Sequence, residues 1–269
     1  MGNQHLIALD LDGTLLKDNK TISERTKKAI QKARAQGHIV VISTGRPYRA
    51  SNLYYKELQL DTPIVNFNGA YVHHPLDASW GTYHTPLELN IAKEIVAACA
   101  DFGVKNLYAE VIDDVYVRHI DEGMKHIFQF GNPKVYTGDL LHILDDAPTC
   151  LLIDANEHEV EAIRQHLTNV HAEVIDHRRW AAPWHIIEIV KSGMNKAIGL
   201  KKITDYYGIP SERVIAFGDE DNDFEMIEFA GRGVAMGNAI AELKSLANYV
   251  TATNEEDGVA VYLEDLLGL

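Results

Sequence analysis

The segment Leu6-Ile7-Ala8-Leu9-Asp10-Leu11-Asp12-Gly13-Thr14-Leu15 decides the fold of this chain. Its first four residues are apolar, which is typical of a strand buried on both faces in a parallel sheet. Such strands carry ligands at their carboxyl ends. The carboxylates of Asp10 and Asp12 would repel each other there and lose hydration, so a bound cation is the natural compensation. The alternative is a strand that simply ends in acidic turn residues before a glycine turn.

A second buried strand follows one helix later. The helix is predicted to begin near Ser23 (or Thr21) and to end at Gly37. The second strand is predicted over residues 38–42, where His38 is followed by four apolar residues. Strand, helix and strand within about 40 residues make a βαβ unit, which implies a parallel sheet and a right-handed crossover. The second strand ends in Ser-Thr-Gly-Arg-Pro, where the N–H groups of residues 44–46 are expected to be free for an anion. Taken alone, an ordinary strand-to-helix turn explains this run better.

The middle of the chain has a different pattern. A third strand ends in Asn68-Gly69-Ala70, a turn signal with positive φ, and begins a predicted hairpin. Beyond it, strands that are neighbours in sequence indicate an antiparallel sheet in an α+β unit. The elements predicted from residue 63 onward are strands 63–67, 71–72, 80–84, 107–112, 115–118, 149–154, 170–175 and 184–190, helices 87–102 and 157–167, and shorter elements at 124–128 and 140–144.

Strand and helix alternate again in the last part of the chain. A helix begins at Lys196 and ends near Gly208, and a buried strand over 214–217 leads into Gly-Asp-Glu-Asp-Asn-Asp, residues 218–223. The further elements predicted are helices 224–230, from 239, and 258–267, and strands 233–236 and 249–250. The predicted fold class is therefore α/β, a Rossmann-like parallel-sheet core with an inserted α+β domain. The core consists of residues 1–84 and 187–269, and the insertion of residues 85–186.

Composition limits the possible partners and location. The net charge of −14 disfavours binding to nucleic acid or to an anionic membrane, because both need clusters of Lys and Arg. No apolar run approaches the roughly 18–20 residues of a membrane span. The chain begins without a basic, cleavable leader, and Cys99 and Cys150 are too few for a disulfide framework, so we expect a cytoplasmic protein. A small phosphorylated partner stays possible, and the oligomeric state is not predicted.

The charged residues at the strand ends and at the helix start suit phosphoryl transfer, which depends on positioning and electrostatic stabilisation. Asp10 and Asp219 are the natural carboxylate ligands for Mg²⁺, with the main-chain carbonyl of Asp12 as a third ligand. Lys196 would supply a fixed positive charge. Asp10 would attack phosphorus and form an aspartyl-phosphate, while Asp12 would protonate the leaving oxygen and then activate water. Taken singly, residues 218–223 could be a solvated acidic loop and Lys196 a surface lysine.

The motifs occur in the order found in a known superfamily. The segments 10–14 and 44–46, Lys196 and the acidic run 218–223 resemble the four motifs of the haloacid dehalogenase superfamily, and the insertion resembles the cap of its Cof-type phosphatases. The resemblance implies Mg²⁺ as cofactor, an α/β cap over 85–186 that selects the substrate, and Asp223 outside the first metal shell. It places the metal ligands at Asp10, Asp12 and Asp219, and the phosphate-binding positions at Leu11 (main chain), Thr44, Gly45, Lys196 and Asn222.

The resemblance also narrows the activity. Asp12 separates the chain from the superfamily's dehalogenases, and its first motif lacks the Asp-Lys-Thr-Gly-Thr of P-type ATPases. A phosphatase acting on a small phosphorylated metabolite is therefore expected, with a phosphomutase or a non-catalytic phosphometabolite-binding module as alternatives. Family substrates include sugar phosphates, flavin mononucleotide and pyridoxal phosphate. The segments 43–48 and 66–69 resemble members that act on 5-amino-6-(5-phospho-D-ribitylamino)uracil in riboflavin synthesis.

Overall fold

The computed structural model describes residues 4–123, 130–180 and 185–269. Its strands, numbered in chain order, are β1 (Leu6–Leu9), β2 (Ile39–Ile42), β3 (Ile64–Asn66), β4 (Tyr71–His73), β5 (Thr82–His84), β6 (Val104–Val111), β7 (Asp114–Val117), β8 (Val135–Thr137), β9 (Cys150–Ala155), β10 (Ile175–Arg179), β11 (Ile186–Lys191), β12 (Val214–Gly218), β13 (Arg232–Ala235) and β14 (Tyr249–Val250). Its α-helices are α1 (Glu24–Ala35), α2 (Tyr48–Glu57), α3 (Leu89–Ala98), α4 (Leu140–Ile143), α5 (Val160–His171), α6 (Lys196–Tyr207), α7 (Phe224–Phe229), α8 (Ala241–Leu246) and α9 (Gly258–Leu267). The element predicted at 124–128 lies outside the described residues.

Five parallel strands form the first sheet, in the order β14-β13-β12-β1-β2. The strand β1 lies between β12 and β2, with Leu6 opposite both Val214 and Ile39, and all four of its residues are fully buried. This confirms the predicted α/β core. Because the strands are parallel and in register, the residues that follow β1, β2 and β12 leave the same edge of the sheet.

Helix α1 shows how local sequence sets the elements around this sheet. Ser23 is its N-cap and accepts a hydrogen bond from the N–H of Thr26, which decides between the two predicted caps. Ala29, Ile30 and Ala33 recur at helical spacing and are buried, so one face of the helix packs inward. No helix in residues 4–123, 130–180 or 185–269 is both long enough and apolar enough to cross a membrane.

A second, six-stranded sheet has the order β10-β11-β9-β6-β7-β8. Its pairs are antiparallel except for β7 with β8, which are parallel. The strands and the helices α3 and α5 share one apolar core, which includes Ile95, Leu107, Leu151, Ile163, Leu167 and Ile187. A separate three-stranded sheet, β3-β4-β5, contains the predicted hairpin.

One predicted strand differs from the structure. Helix α5 continues to His171, so the strand predicted at 170–175 is wrong, and β10 begins only at Ile175. The helical spacing of the buried residues Val160, Ile163, Leu167 and His171 keeps this segment helical and leaves Val170 on the exposed side. The last strand of the insertion, β11, starts at 186 within the predicted range, and residue 184 lies outside the described residues.

The chain divides into two compact units. One comprises residues Met1–Arg46, Ser51–Tyr83 and Asn195–Leu269, and the other Pro47–Ala50 and His84–Met194. The predicted return to the core at residue 187 comes too early, because β11 pairs with β9 and β10 and so belongs to the second sheet as far as Lys191. The short piece 47–50 was not anticipated. There the buried guanidinium of Arg49 forms an ion pair with Glu110 of β6, within the second unit.

Candidate active site

Asp10 and Lys196 form a buried ion pair beside the end of β1. Asp10 continues the line of β1, and its N–H donates to the carbonyl of Phe217 in β12. The ammonium of Lys196, in the first turn of α6, lies 2.7 Å from Asp10 Oδ1 and 2.6 Å from Asp223 Oδ1. Its side chain is fully buried, which excludes the surface-lysine alternative. A charged amine in such a place needs carboxylate partners.

The position of Lys196 is fixed by the N-cap of α6. Asn195 is the N-cap of α6, and its side chain accepts a hydrogen bond from the N–H of Ile198. The helix ends at Gly208, whose left-handed conformation (φ 64°) is one that glycine adopts readily. Burial alone would lower the pKa of Lys196, but the charges of Asp10 and Asp223 raise it, so the amine is protonated.

The acidic loop after β12 is folded inward at Asp219 and Asp223. Asp219 Oδ1 accepts a 2.8 Å hydrogen bond from the hydroxyl of Thr14. Asp223 Oδ2 accepts hydrogen bonds from the N–H groups of Asp219 and Glu220, and its Oδ1 binds Lys196. Both carboxylates are buried, so a solvated acidic loop does not describe them. Both oxygens of Asp223 therefore already have partners within the protein, and its predicted place outside the first metal shell stays a prediction.

Three carboxylates approach one another closely enough to share a cation. Oxygens of Asp10, Asp219 and Asp223 all lie within 4.8 Å of one another. Burial raises the pKa of Asp219, and the charges of Asp10 and Asp223 raise it further. Burial also raises the pKa of Asp10, against the opposing charge of Lys196. One ammonium leaves this cluster with excess negative charge, which a divalent cation would neutralise.

The donor set and its surroundings fit a hard cation. All ligand atoms on offer are oxygens, which suit Mg²⁺, Ca²⁺ or Mn²⁺ better than Zn²⁺. Gly13 leaves room for this arrangement, since a Cβ built on it would lie 2.1 Å from Asp219 Oδ2, and its φ is +74°. Its left-handed backbone also favours glycine.

Asp12 faces a different set of partners. Its carboxylate accepts hydrogen bonds from Arg46 Nε at 2.5 Å and Nη2 at 2.6 Å, and from the ammonium of Lys20 at 2.8 Å. Burial would raise the pKa of Asp12, but the hydrogen bonds and charge of Arg46, with those of Lys20, lower it to about 2. The side chain is therefore ionised and stands apart from the three-carboxylate cluster. The ligand predicted at Asp12 is its main-chain carbonyl, so the metal prediction there does not depend on this carboxylate.

The loop after β2 differs in part from the expectation. The N–H of Thr44 donates to the carbonyl of Val65, and that of Arg46 donates to the hydroxyl of Thr44. The prediction of three free N–H groups is therefore wrong for Thr44 and Arg46, because the loop uses both internally. The N–H of Gly45 is the donor on which an anion site in this loop can rest. Leu11 is fully buried, and its carbonyl accepts a hydrogen bond from the N–H of Leu16. The predicted phosphate-binding role of the Leu11 main chain therefore concerns its N–H group.

Sequence reasoning missed two partners of the predicted site residues. The first is the pairing of Arg46 with Asp12, although Arg46 lies inside a quoted motif. The second is Asn68, whose Oδ1 accepts a 3.1 Å hydrogen bond from Asn222 Nδ2. From the sequence, the Asn-Gly pair at 68–69 predicts a turn and forms part of the family resemblance, but it indicates no role for the Asn68 side chain. The bridge between Ser43 and Val65 places β3 beside the end of β2. A prediction that β3 lies next to β2 would have put Asn68, which follows β3, near the other residues at the strand ends.

Comparisons with known proteins show which family the chain resembles in sequence and fold. The model of the haloacid dehalogenase-like hydrolase family matches residues 7–263. The 5-amino-6-(5-phospho-D-ribitylamino)uracil phosphatase YitU of Bacillus subtilis is 61% identical over 265 residues, covering 98% of both chains. A second B. subtilis enzyme of the same description, YwtE, is 32% identical over 97% of both chains. The crystal structure of a haloacid dehalogenase-like hydrolase from Bacteroides thetaiotaomicron superposes with a TM-score of 0.85 at 28% identity, covering 98% of this chain and all of that one.

Proposed function

Since the chain belongs to the haloacid dehalogenase-like hydrolase family and is a phosphatase, we propose that it hydrolyses 5-amino-6-(5-phospho-D-ribitylamino)uracil with the help of Mg²⁺. The choice of this substrate rests on the 61% identity, over 98% of both chains, to a phosphatase of that description. The more distant relative YwtE carries the same description and supports the same choice. The products would be inorganic phosphate and the ribitylaminouracil alcohol.

Asp10 is the proposed nucleophile. Its Oδ1 is held by Lys196, so its other oxygen, Oδ2, would attack phosphorus while the bond from phosphorus to the ribityl oxygen breaks. The product of this step is an aspartyl-phosphate, and attack of water on its phosphorus releases phosphate and restores the carboxylate. Lys196 keeps Asp10 in place and lowers the repulsion between two anionic reactants.

Mg²⁺ would be held by carboxylate oxygens of Asp10 and Asp219 and by the main-chain carbonyl of Asp12. When bound, it supplies positive charge that stabilises the phosphoryl oxygens. The hydrogen bond from Thr14 leaves Asp219 Oδ2 as the oxygen available to a ligand. Asp223 would not bind the metal itself. It would hold Lys196 and the N–H groups of residues 219 and 220 in place.

Asp12 is the proposed general acid and base. Its carboxylate is ionised and paired with Arg46 and Lys20, so it must leave these partners and take up a proton before it can protonate the ribityl oxygen. As the resulting carboxylate, it can then accept a proton from the attacking water. The phosphoryl group itself would be bound by the N–H groups of Leu11 and Gly45, the Thr44 hydroxyl, the Asn222 amide and Lys196.

The second unit, residues 47–50 and 84–194, is the proposed specificity domain, as the cap resemblance implies. The core residues named above deal only with the phosphoryl group, so they cannot distinguish one leaving group from another. Polar side chains that bind a leaving group discriminate strongly, because analogues without the matching group leave them unpaired.

A panel of phosphate esters tests this proposal. Release of inorganic phosphate is measured with the ribitylaminouracil phosphate, flavin mononucleotide, pyridoxal phosphate and hexose phosphates, each with Mg²⁺ or with excess chelator. We expect the highest kcat/KM on the ribitylaminouracil phosphate and no turnover in chelator. A higher kcat/KM on another ester would overturn the substrate, and full activity in chelator would overturn the metal. Isomerised phosphate ester without free phosphate would identify a mutase instead.

A further inference from the structure

The loop after β3 has an unusual backbone. Three consecutive residues have positive φ: Phe67 (49°), Asn68 (51°) and Gly69 (96°). Asparagine and glycine tolerate this region, but a bulky aromatic residue rarely adopts it. Such conformations persist only where the surrounding structure imposes them, and they cluster at functional sites. Contacts with neighbouring segments must therefore hold the loop in this conformation.

Backbone contacts tie this loop to the proposed phosphate-binding loop after β2. The N–H of Asn68 donates to the carbonyl of Thr44 at 3.1 Å, and the N–H of Phe67 to that of Arg46 at 3.3 Å. The side chain of Asn66 reinforces the second contact, since its Nδ2 also donates to the Arg46 carbonyl, at 2.9 Å. The two loops thus hold each other in shape.

The side chain of Asn68 joins two of the proposed phosphate-binding positions. It is only 4% exposed, and its Oδ1 accepts the hydrogen bond from Asn222 Nδ2. A Cβ built on Gly45 would lie 3.2 Å from both Oδ1 and Nδ2 of Asn68, so the amide packs directly over the Gly45 backbone. Asn68 therefore contacts Gly45 on one loop and Asn222 on another.

The next residue brings the start of α6 to the same place. A Cβ on Gly69 would lie 2.1 Å from the carbonyl oxygen of Asn195, the N-cap before Lys196. No side chain fits there, so the close approach of this loop to the helix start requires glycine. The loop thus touches three separate segments that the proposed function assigns to the phosphoryl group.

We propose that Asn68 is a positioning residue for the phosphoryl group of the substrate. By accepting one hydrogen bond from Asn222, it fixes the plane of that amide relative to the Gly45 N–H. The remaining N–H of Asn222 is then held ready to donate to a phosphoryl oxygen. This inference rests on the proposed function, because Asn222 and Gly45 matter here only as phosphate-binding groups.

Three variants test this role: Asn68→Gly, Asn222→Ala and the double variant. Glycine keeps the positive φ of residue 68 and removes only the side chain. Gln59→Gly is the matched control, since Gln59 also has positive φ (52°) but is exposed, follows the end of α2 and is not one of the proposed site residues. The measurements are kcat, KM for a phosphate ester and the inhibition constant of inorganic phosphate, all with Mg²⁺, together with the urea midpoint of unfolding.

We expect Asn68→Gly to raise the inhibition constant of phosphate and KM by about threefold to tenfold, the effect of one lost hydrogen bond. In the double variant, both constants should equal those of Asn222→Ala alone, because Asn68 acts through Asn222. Gln59→Gly should keep the wild-type constants.

Two results would overturn the inference. One is a wild-type inhibition constant in Asn68→Gly, and the other is an effect of Asn68→Gly that multiplies fully with that of Asn222→Ala. Failure of the proposed function would look different, because the wild-type protein would then release no phosphate from the ribitylaminouracil phosphate in the same assay.

Discussion

The ammonium of Lys196 lies 2.7 Å from Asp10 Oδ1, and both side chains are buried. The same ammonium binds Asp223 at 2.6 Å, so one lysine joins the start of α6 to the ends of β1 and β12. Because both carboxylates are buried, they are poorly solvated and depend on the ammonium for compensation of their charge. Lys196 therefore has a structural role besides the proposed electrostatic one, and the two can be measured separately.

Replacing Lys196 by glutamine should destabilise the protein strongly at neutral pH. The change leaves two buried carboxylates without their cation, and breaking one side of a buried pair costs about 3–5 kcal/mol. The matched control is Lys201→Gln, in the same helix, because its bond to Asp205 is exposed and is worth about 0.5 kcal/mol or less. Urea unfolding of both variants at pH 7 measures the difference, and equal free energies of unfolding would contradict this account of Lys196.

Asp12→Asn should lower activity by an amount that depends on the leaving group. Without a general acid we expect kcat to fall about 10²–10⁴-fold on an alkyl phosphate such as the ribityl ester. The first step on an aryl phosphate should suffer less, because an aryl oxide leaves without being protonated. Rapid-quench measurement of alcohol or phenol release compares the two esters, and an equal loss of the first step on both would argue against Asp12 as the acid.

Gly69→Ala should be far more harmful than Gly37→Ala. Both glycines have positive φ, 96° and 89°, so the backbone cost of alanine is similar. A Cβ on Gly37 meets nothing within 4 Å, whereas one on Gly69 would lie 2.1 Å from the Asn195 carbonyl. We expect Gly37→Ala to cost about 1 kcal/mol and Gly69→Ala at least 2 kcal/mol more. Urea unfolding tests this, and similar midpoints for the two variants would refute the close approach.

His73 should make stability depend on pH. Burial lowers the pKa of His73 from 6.5 to about 4, so the folded protein keeps it neutral while the unfolded chain takes up a proton. The contribution is complete above pH 6.5 and is lost as the pH falls from 6.5 towards 4. The full shift corresponds to about 2 kcal/mol between pH 7.5 and 5, and solvent screening of this partly exposed ring reduces it to roughly half. His73→Gln should therefore flatten the fall in stability over that range by about 1 kcal/mol. The test is the free energy of unfolding of the wild-type protein and of His73→Gln at pH 7.5 and pH 5. Parallel pH profiles of the two proteins would contradict the role of His73.

The sequence predicted most of the strands and helices, but few of the contacts between residues that are far apart in the chain. The buried runs of β1, β2 and β12 and the charged residues after them were recognisable, because burial on both faces leaves continuous apolar segments. The pairing of Asp12 with Arg46 and the contact of Asn68 with Asn222 join residues 34 and 154 positions apart, and no local pattern encodes them. The end of the insertion was misplaced because β11 is apolar enough to suit either sheet, and only its partners β9 and β10 assign it.

The most direct test of the mechanism is chemical trapping of the aspartyl-phosphate. The protein is mixed with substrate and Mg²⁺, quenched within one turnover and reduced with borohydride, which converts an acyl phosphate on aspartate to homoserine. Peptide mass spectrometry then locates the modified residue, with a sample that lacked substrate as the control. We predict homoserine at position 10 and at no other aspartate. Homoserine at Asp12 or Asp219, or unmodified Asp10 in a sample shown to contain bound phosphoryl group, would contradict the assignment of Asp10 as the nucleophile.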